Sequence, residues 1–241
     1  MKFKGIKIKK IILIVVVLVI LVGIGFWVKG ILEKEEKPVK LTKEERVELA
    51  DKYFREATMG ISTETEKPLT PEQRKERYRK AKEEFEKLLK EEPANVKILS
   101  SLGITYYNLS EFEKAKEIFE KLIKLNPTNP SNYNILANIL RDKSPPDLEK
   151  AETYYKKAIE LSEGFIAAYT NLAFLYQSQN KLDQAIDILT KGLEKNPDDI
   201  SLLLSLASSY EMKGEKEEAK KIYQKVLEID PNNPVAKRAT E

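Results

Sequence analysis

The sequence contains no histidine and no cysteine. Without histidine there is no Ser-His-Asp machinery, no HExxH zinc site and no imidazole proton shuttle. Without cysteine there are no disulfides, no thiolate nucleophile, no zinc finger and no lipid anchor on a thiol. Only metals held by carboxylate oxygen alone stay conceivable, and neither a metal site nor a cofactor is expected. Methionine is scarce at 3 residues, and arginine and aspartate are rare beside 35 Lys and 31 Glu. That balance is the bias of heat-adapted proteins, a hint about habitat and not about function.

Charge is abundant but placed unevenly. Residues 1–10 carry five Lys and no acid, residues 11–28 carry no charge, and the other 37 Lys and Arg face 39 Asp and Glu. The stretch 11–28, IILIVVVLVILVGIGFWV, is apolar on every side, and Trp27, the only tryptophan, stands near its end. Eighteen helical residues at about 1.5 Å each cover most of a roughly 30 Å hydrocarbon layer. A single transmembrane helix is therefore expected over 11–28, with a basic cytoplasmic tail over 1–10 and a charged linker over 29–42. The alternative is a cleaved signal peptide with Gly23-Ile24-Gly25 as its small-x-small site. Apolar residues continuing through Val28, with no Ala-x-Ala after them, favour the uncleaved anchor. The remainder of the chain is then expected outside the cytoplasm, periplasmic or on the cell surface. The lysine cluster reads as topology and anionic headgroup contact. It has no interleaved aromatics to stack on bases, so no nucleic acid is expected as a partner.

Beyond residue 42 the sequence repeats. Ala81, Ala115, Ala151, Ala185 and Ala219 recur, and four residues after each stands Phe85, Phe119, Tyr155, Leu189 or Tyr223. Upstream lie Leu102-Gly103, Leu136-Ala137, Leu172-Ala173 and Leu206-Ala207, each followed at the third residue by Tyr106, Leu140, Tyr176 or Tyr210. Pro93, Pro127, Pro197 and Pro231 close most units. This pattern resembles the tetratricopeptide repeat, W-x2-L-G-x2-Y, then A-x3-F, then P. The resemblance covers 43–233 and implies an all-α fold, a right-handed α-solenoid of about five helix-turn-helix units after the transmembrane helix. The units are 43–95, 96–129, 130–165, 166–199 and 200–233, and 234–241 is left as a C-terminal stub. Small residues let helix A and helix B approach, and the large ones fill the space between units. Asn129 should cap the third unit's first helix, with Pro130 at its first position.

Two units depart from the pattern. The third has two extra residues in its inner turn, at Lys143-Ser144-Pro145-Pro146, and lacks the closing proline. The first separates Ala50 from Ala81 by 31 residues where later units have 12 or 14. Its long loop over 60–70 is read as disordered, with functional use the alternative.

Residues of helix A that face away from helix B should line a groove. Counting from the packed Leu-Gly/Ala pairs places Phe54, Ile104, Tyr107, Asn108, Asn134, Asn138, Arg141, Thr170, Asn171, Phe174, Gln177, Ser208 and Glu211 there. For any one position an ordinary solvated face is the alternative, but the set offers amides, hydroxyls and aromatics where other exposed faces offer Lys and Glu. Asparagine both donates and accepts, so a row of it can pair with an extended peptide backbone. The family resemblance implies a peptide-clamping place for Asn138 and Asn171. Clamps for acidic C-termini also need cations in flanking units, and the corresponding positions here are Asn134, Ser201 and Ser205. A less charged groove is expected. On the last helix Ile222, Val226 and Ile229 are expected to be only partly covered, a second candidate interface, with cover by Val235 and Ala239 the alternative. No paired carboxylates sit in an apolar pocket that the pattern identifies, and no stretch is left for a catalytic domain, so an enzyme is not expected. The expected function is a membrane-tethered scaffold that binds a protein or extended peptide and assists envelope or exported proteins. The alternatives are a self-associating structural scaffold, a homo-oligomer, and a regulatory subunit of an enzyme or secretion complex.

Overall fold

A computed structural model describes residues 41–240. The basic segment 1–10, the apolar run 11–28 and nearly all of the linker 29–42 lie outside the described residues. Among those described, no helix is long and apolar enough to cross a membrane. The described residues form eleven helices and no strand, only an isolated antiparallel bridge between Ile61 and Pro68. In chain order they are α1 (Lys43–Met59), α2 (Pro71–Glu91), α3 (Val96–Asn108), α4 (Phe112–Leu125), α5 (Pro130–Asp142), α6 (Leu148–Leu161), α7 (Ile166–Ser178), α8 (Leu182–Lys195), α9 (Ile200–Lys213), α10 (Lys216–Ile229) and α11 (Pro234–Thr240).

Each helix packs on the next, and α7 also touches α5 and α9. The odd-numbered helices from α1 to α9 are thus the A helices of five stacked pairs. Position in the stack explains the composition of each helix. A B helix such as α4 buries one stripe, Ala115, Phe119 and Leu122. An A helix such as α7 lies between its own partner and the preceding B helix, and buries Ala168, Tyr169, Leu172, Ala173, Leu175 and Tyr176. Each fully buried Leu or Phe contributes about 1.5–3 kcal/mol, shared between units, so no pair is stable alone. At Gly103 an added Cβ would lie 2.8 Å from Ile118 Cγ2 and from Phe119 Cε2, which is why this pair closes on glycine where later units carry alanine.

The turns repeat as well. Inside units two, four and five the chain reverses through a left-handed residue, Ser110, Asn180 or Gly214. The amide of the residue after it closes each reversal, Glu111 to Tyr106, Lys181 to Tyr176 and Glu215 to Tyr210, all at 2.9 Å. In the third unit Asp147 N–H reaches Leu140 O at 2.8 Å. The two extra residues around Pro145 are looped out and the pair keeps its register. Between units, Asn95, Asn129, Asp199 and Asn233 cap the following helix with a side-chain oxygen. The irregular junction before α7 has Phe165 there, with no side-chain cap. Tyr169 steadies it by donating to Glu163 O at 3.0 Å, as Tyr133 does to Pro127 O.

Two sequence-based readings need correction. The segment 60–70, expected to be disordered, is an ordered loop. Gly60 adopts φ 71° after α1, Leu69 N–H donates to Gly60 O at 2.7 Å, and Ser62 N–H donates to Lys67 O at 3.0 Å. Glu56, with no solvent exposure, accepts from both the amide and the hydroxyl of Thr63 and pairs with Arg77 Nε at 2.7 Å. Thr70 and Gln73 then form a reciprocal capping box that starts α2 with Pro71 at its first position. Two hydrogen bonds to Oε1 and the charge of Arg77 beside Oε2 tie one buried carboxylate to both ends of a loop whose composition alone looks mobile. Residues 234–240, read as a stub, form α11. Asn233-Pro234 repeats the Asn129-Pro130 start, and Ala236 is buried against α10.

Candidate functional site

The expected groove residues fall on the A helices, where hydrogen bonds tie neighbouring units together. From α3, the Tyr107 hydroxyl donates to Asp142 at the end of α5. Arg141 grips the same carboxylate with Nε at 2.6 Å and Nη2 at 3.0 Å, and donates from Nη1 to the Tyr155 hydroxyl at 3.1 Å. That hydroxyl donates to Asn138 Oδ1 at 2.6 Å. Between α7 and α5, Asn171 Nδ2 donates to Asn134 Oδ1 at 3.0 Å. Between α7 and α9, Gln177 Nε2 donates to the Ser209 hydroxyl at 2.8 Å. The polar face is therefore a ladder running through α3, α5, α7 and α9.

Its electrostatics are locally balanced. Arg141 is answered by Asp142, so the face carries little net charge there. Burial pushes the Asp142 carboxyl up, but the bonds from Arg141 and Tyr107 more than offset this and hold it below the usual carboxylate range. Burial, joined by the Asp142 contact, pushes the Tyr107 phenol up to about 12. Burial likewise raises Tyr155 far above an ordinary phenol. Phe174 is 56% exposed and its ring stacks on the Arg141 guanidinium, 5.2 Å from the ring centre. An apolar ring thus stands proud of an amide- and hydroxyl-rich surface, on a base fixed by a connected set of hydrogen bonds.

The other expected residues are placed as follows. Asn134 is buried and half-buried Asn138 and Asn171 are already engaged, so the row of free asparagines drawn from spacing is instead largely an interhelical bond set. Phe54 does not face away from its partner helix. Its ring packs edge-on against Tyr78 and Phe85 of α2, at 6.5 and 6.0 Å. Ile104 is half-buried against the core, and Asn108 turns back to Ile104 O at 2.9 Å. Thr170 bonds its own helix backbone, half-buried Ser208 lies on α9, and Glu211 accepts from Tyr223 at 2.9 Å. At the far end Val226 is fully buried under α11, correcting its expected partial cover. Ile222 is half-buried, Ile229 is 39% exposed, and Val235 on α11 is 43% exposed.

Spacing missed Tyr155, Asp142 and Ser209. Tyr155 and Tyr223 occupy the slot filled by Phe85, Phe119 and Leu189, and read only as packing. A phenol in a slot otherwise apolar signals a hydroxyl that must find a partner, and both find one on their own unit's A helix.

The tetratricopeptide repeat pattern matches residues 74–139, 147–209 and 178–240. No curated protein matches the chain in sequence. Among solved structures, one of a MamA protein is 27% identical over 76% of this chain and 90% of its own, with a TM-score of 0.54. A second MamA structure is 30% identical over 64% of this chain and 89% of its own, also at 0.54. A thermophilic TPR protein of Thermus thermophilus shares the fold, at 22% identity over 82% of this chain and 97% of its own, with a TM-score of 0.58. With the repeat pattern spanning most of the helical stack, this chain belongs to the tetratricopeptide repeat family.

Proposed function

We propose that this chain is a membrane-tethered scaffold that holds a protein segment along its A-helix face. The tether is the apolar run 11–28, with the basic residues 1–10 in the cytoplasm and the repeats outside it, wound as a right-handed superhelix. The observation that carries the binding role is Phe174, exposed on the braced Arg141 in the middle of the ladder. An exposed aromatic on a rigid, polar, charge-balanced base is an anchor for an apolar side chain, and the amides around it serve a peptide backbone. Such a face suits extended segments of little charge from envelope or exported proteins. The amides left over after the interhelical bonds, above all Asn138 Nδ2, are its backbone-reading groups.

A photo-crosslinking residue at Phe174 tests this in cells, with one at Lys157 on the outer side of α6 as reference. Discrete crosslinked products from position 174 alone are expected, and about tenfold fewer when Tyr155→Phe loosens the base beneath it. Equal labelling from both positions would remove the A-helix face as the binding surface. A reporter fused after Glu241 tests topology, and activity confined to a cytoplasm-restricted reporter would overturn the outward orientation.

Exposed Ile229 and Val235 favour a second reading, self-association through α10 and α11. Sedimentation of the chain at several concentrations separates the two, since a monomer at every concentration excludes it.

A further inference from the structure

Arg141, the cation of the ladder, is already held by Asp142, but the irregular first unit places two more cations beside a cavity. A cavity of about 300 Å³ opens where the early turns of α2 meet the α3–α4 reversal, lined by Pro71, Arg74, Lys75, Tyr78, Asn108 and Ser110. Regular units have no counterpart of these α2 residues. The B helix here is 21 residues long against 14 in the others, and its added turns carry Arg74 and Lys75.

The charge pattern around the cavity is unbalanced in one direction. Glu72 and Glu76 on the same helix are drawn to Arg79, at 3.6 and 3.3 Å. Glu111, next to Ser110, is held by Lys82 and Lys114, each at 2.7 Å. Among the described residues neither Arg74 nor Lys75 contacts a carboxylate. Arg74 is also oriented: its Nε donates to Ala57 O at 2.9 Å, and its stem packs against Gly60. Its side chain also bonds the Tyr78 hydroxyl, which leaves only the rest of the guanidinium to face a carboxylate. Tyr78 is buried, and Asn108, Ser110 and the Tyr78 hydroxyl add neutral polar groups around the cations. Two cations without a carboxylate partner, one of them anchored, at the rim of an open, roomy cavity describe a receptor for an anionic group.

We infer that this cavity takes a glutamate or aspartate side chain of the bound polypeptide, held between Arg74 and Lys75. The inference rests on the protein-binding reading and deepens it. Asn108 lies on the same helix as Tyr107, so the cavity adjoins one end of the ladder, and an otherwise uncharged segment is read there for one acidic residue. The long 60–70 loop then has a use: bonded through Thr63 to Glu56 and through Thr70 to Gln73, it sets where α2 begins and so where its cations stand.

Glutarate, which carries the carboxylate of a glutamate side chain, tests the cavity without the ladder. The full chain in a mild detergent is titrated at constant chloride ionic strength, following the arginine Nε–H signals, of which there are seven. A saturable shift confined to Arg74 is expected. Lys75→Gln, which removes no internal contact, should weaken it about fivefold, while Lys90→Gln at the other end of α2 leaves it unchanged. An unshifted Arg74, an equal response in Lys75→Gln, or a response to inorganic phosphate that exceeds that to glutarate would each overturn the assignment. The crosslinking result at Phe174 is read separately, so failure of the cavity and failure of the ladder are told apart.

Discussion

Replacing Arg77 by alanine should unfold the first unit locally before it affects the rest. Glu56 is fully buried and Arg77 keeps 22% side-chain exposure, so the 2.7 Å contact joins an inner charge to a partly wetted one. Two unit charges at that distance attract by about 6 kcal/mol at an effective dielectric of 20, before desolvation is subtracted. Breaking a buried pair from one side costs about 3–5 kcal/mol because the remaining charge is stranded. Thr63 still donates twice to Glu56, which argues for the low end, about 3 kcal/mol. In a stack where each unit contacts only its neighbours, that loss falls first on α1, the 60–70 loop and the start of α2. Hydrogen exchange reads it directly: the amides of Ser62, Thr63 and Leu69 should lose roughly a hundredfold protection or more, while those of α7 and α9 keep theirs. Acid adds a second check. Burial raises the Glu56 pKa, but the Thr63 bonds and Arg77 outweigh it and leave it lowered. A lowered carboxylate contributes stability above the unfolded value, near 4.3, and loses it as pH falls through the folded value. The gap between wild type and Arg77→Ala should thus be widest at neutral pH and close on acidification. A loss under about 1 kcal/mol, the worth of a surface pair, or a gap indifferent to pH would show that Glu56 does not hold the loop.

Gly103→Ala should lower stability by about 1–2 kcal/mol in urea unfolding, because overpacking against Ile118 and Phe119 outweighs the gain in helix propensity. Tyr155→Phe should cost about 1–2 kcal/mol by the same measure, since it removes the bonds to Asn138 and Arg141 and leaves both partly unsatisfied. Tyr107, raised to about 12, favours its neutral form in the fold, so its contribution is intact below the unfolded phenol value near 10 and is lost as pH rises through 12. Tyr107→Phe should flatten that alkaline loss in a stability-against-pH series. Phe174→Ala should leave the thermal midpoint within about 2 °C of wild type, its ring being mostly exposed, while abolishing crosslinking from neighbouring positions on α7.

The helical repeat was legible because it is a matter of spacing. Ala115 and Phe119, Ala185 and Leu189, and Leu172 with Ala173 sit where a 3.6-residue period brings them to the buried stripe, and all of them are buried. Asn129-Pro130 is a local signal of the same kind, and the same dipeptide at Asn233-Pro234 marks α11 equally well, within a tail too short for the repeat pattern to reach. The groove was legible only as a set of A-helix positions. Whether Asn171 is free or bonded depends on how far α7 lies from α5, and that distance is set by the packing of both helices on α6.

Periodic burial of apolar side chains is additive along the chain, and so the pattern of residues from 43 to 233 carried the helices, their pairing and their core. Polar contacts are different, because a hydrogen bond depends on tenths of an ångström between atoms brought together from separate units. Glu56 meets Thr63 and Arg77, Tyr155 meets Asn138 and Arg141, and Arg74 with Lys75 is left beside Asn108 and Ser110, without any period linking these positions. The order of the 60–70 loop, the bonded state of the asparagines and the meeting of Arg74 and Lys75 with Asn108 and Ser110 around one cavity are all outcomes of that second kind, settled only once the helices are packed.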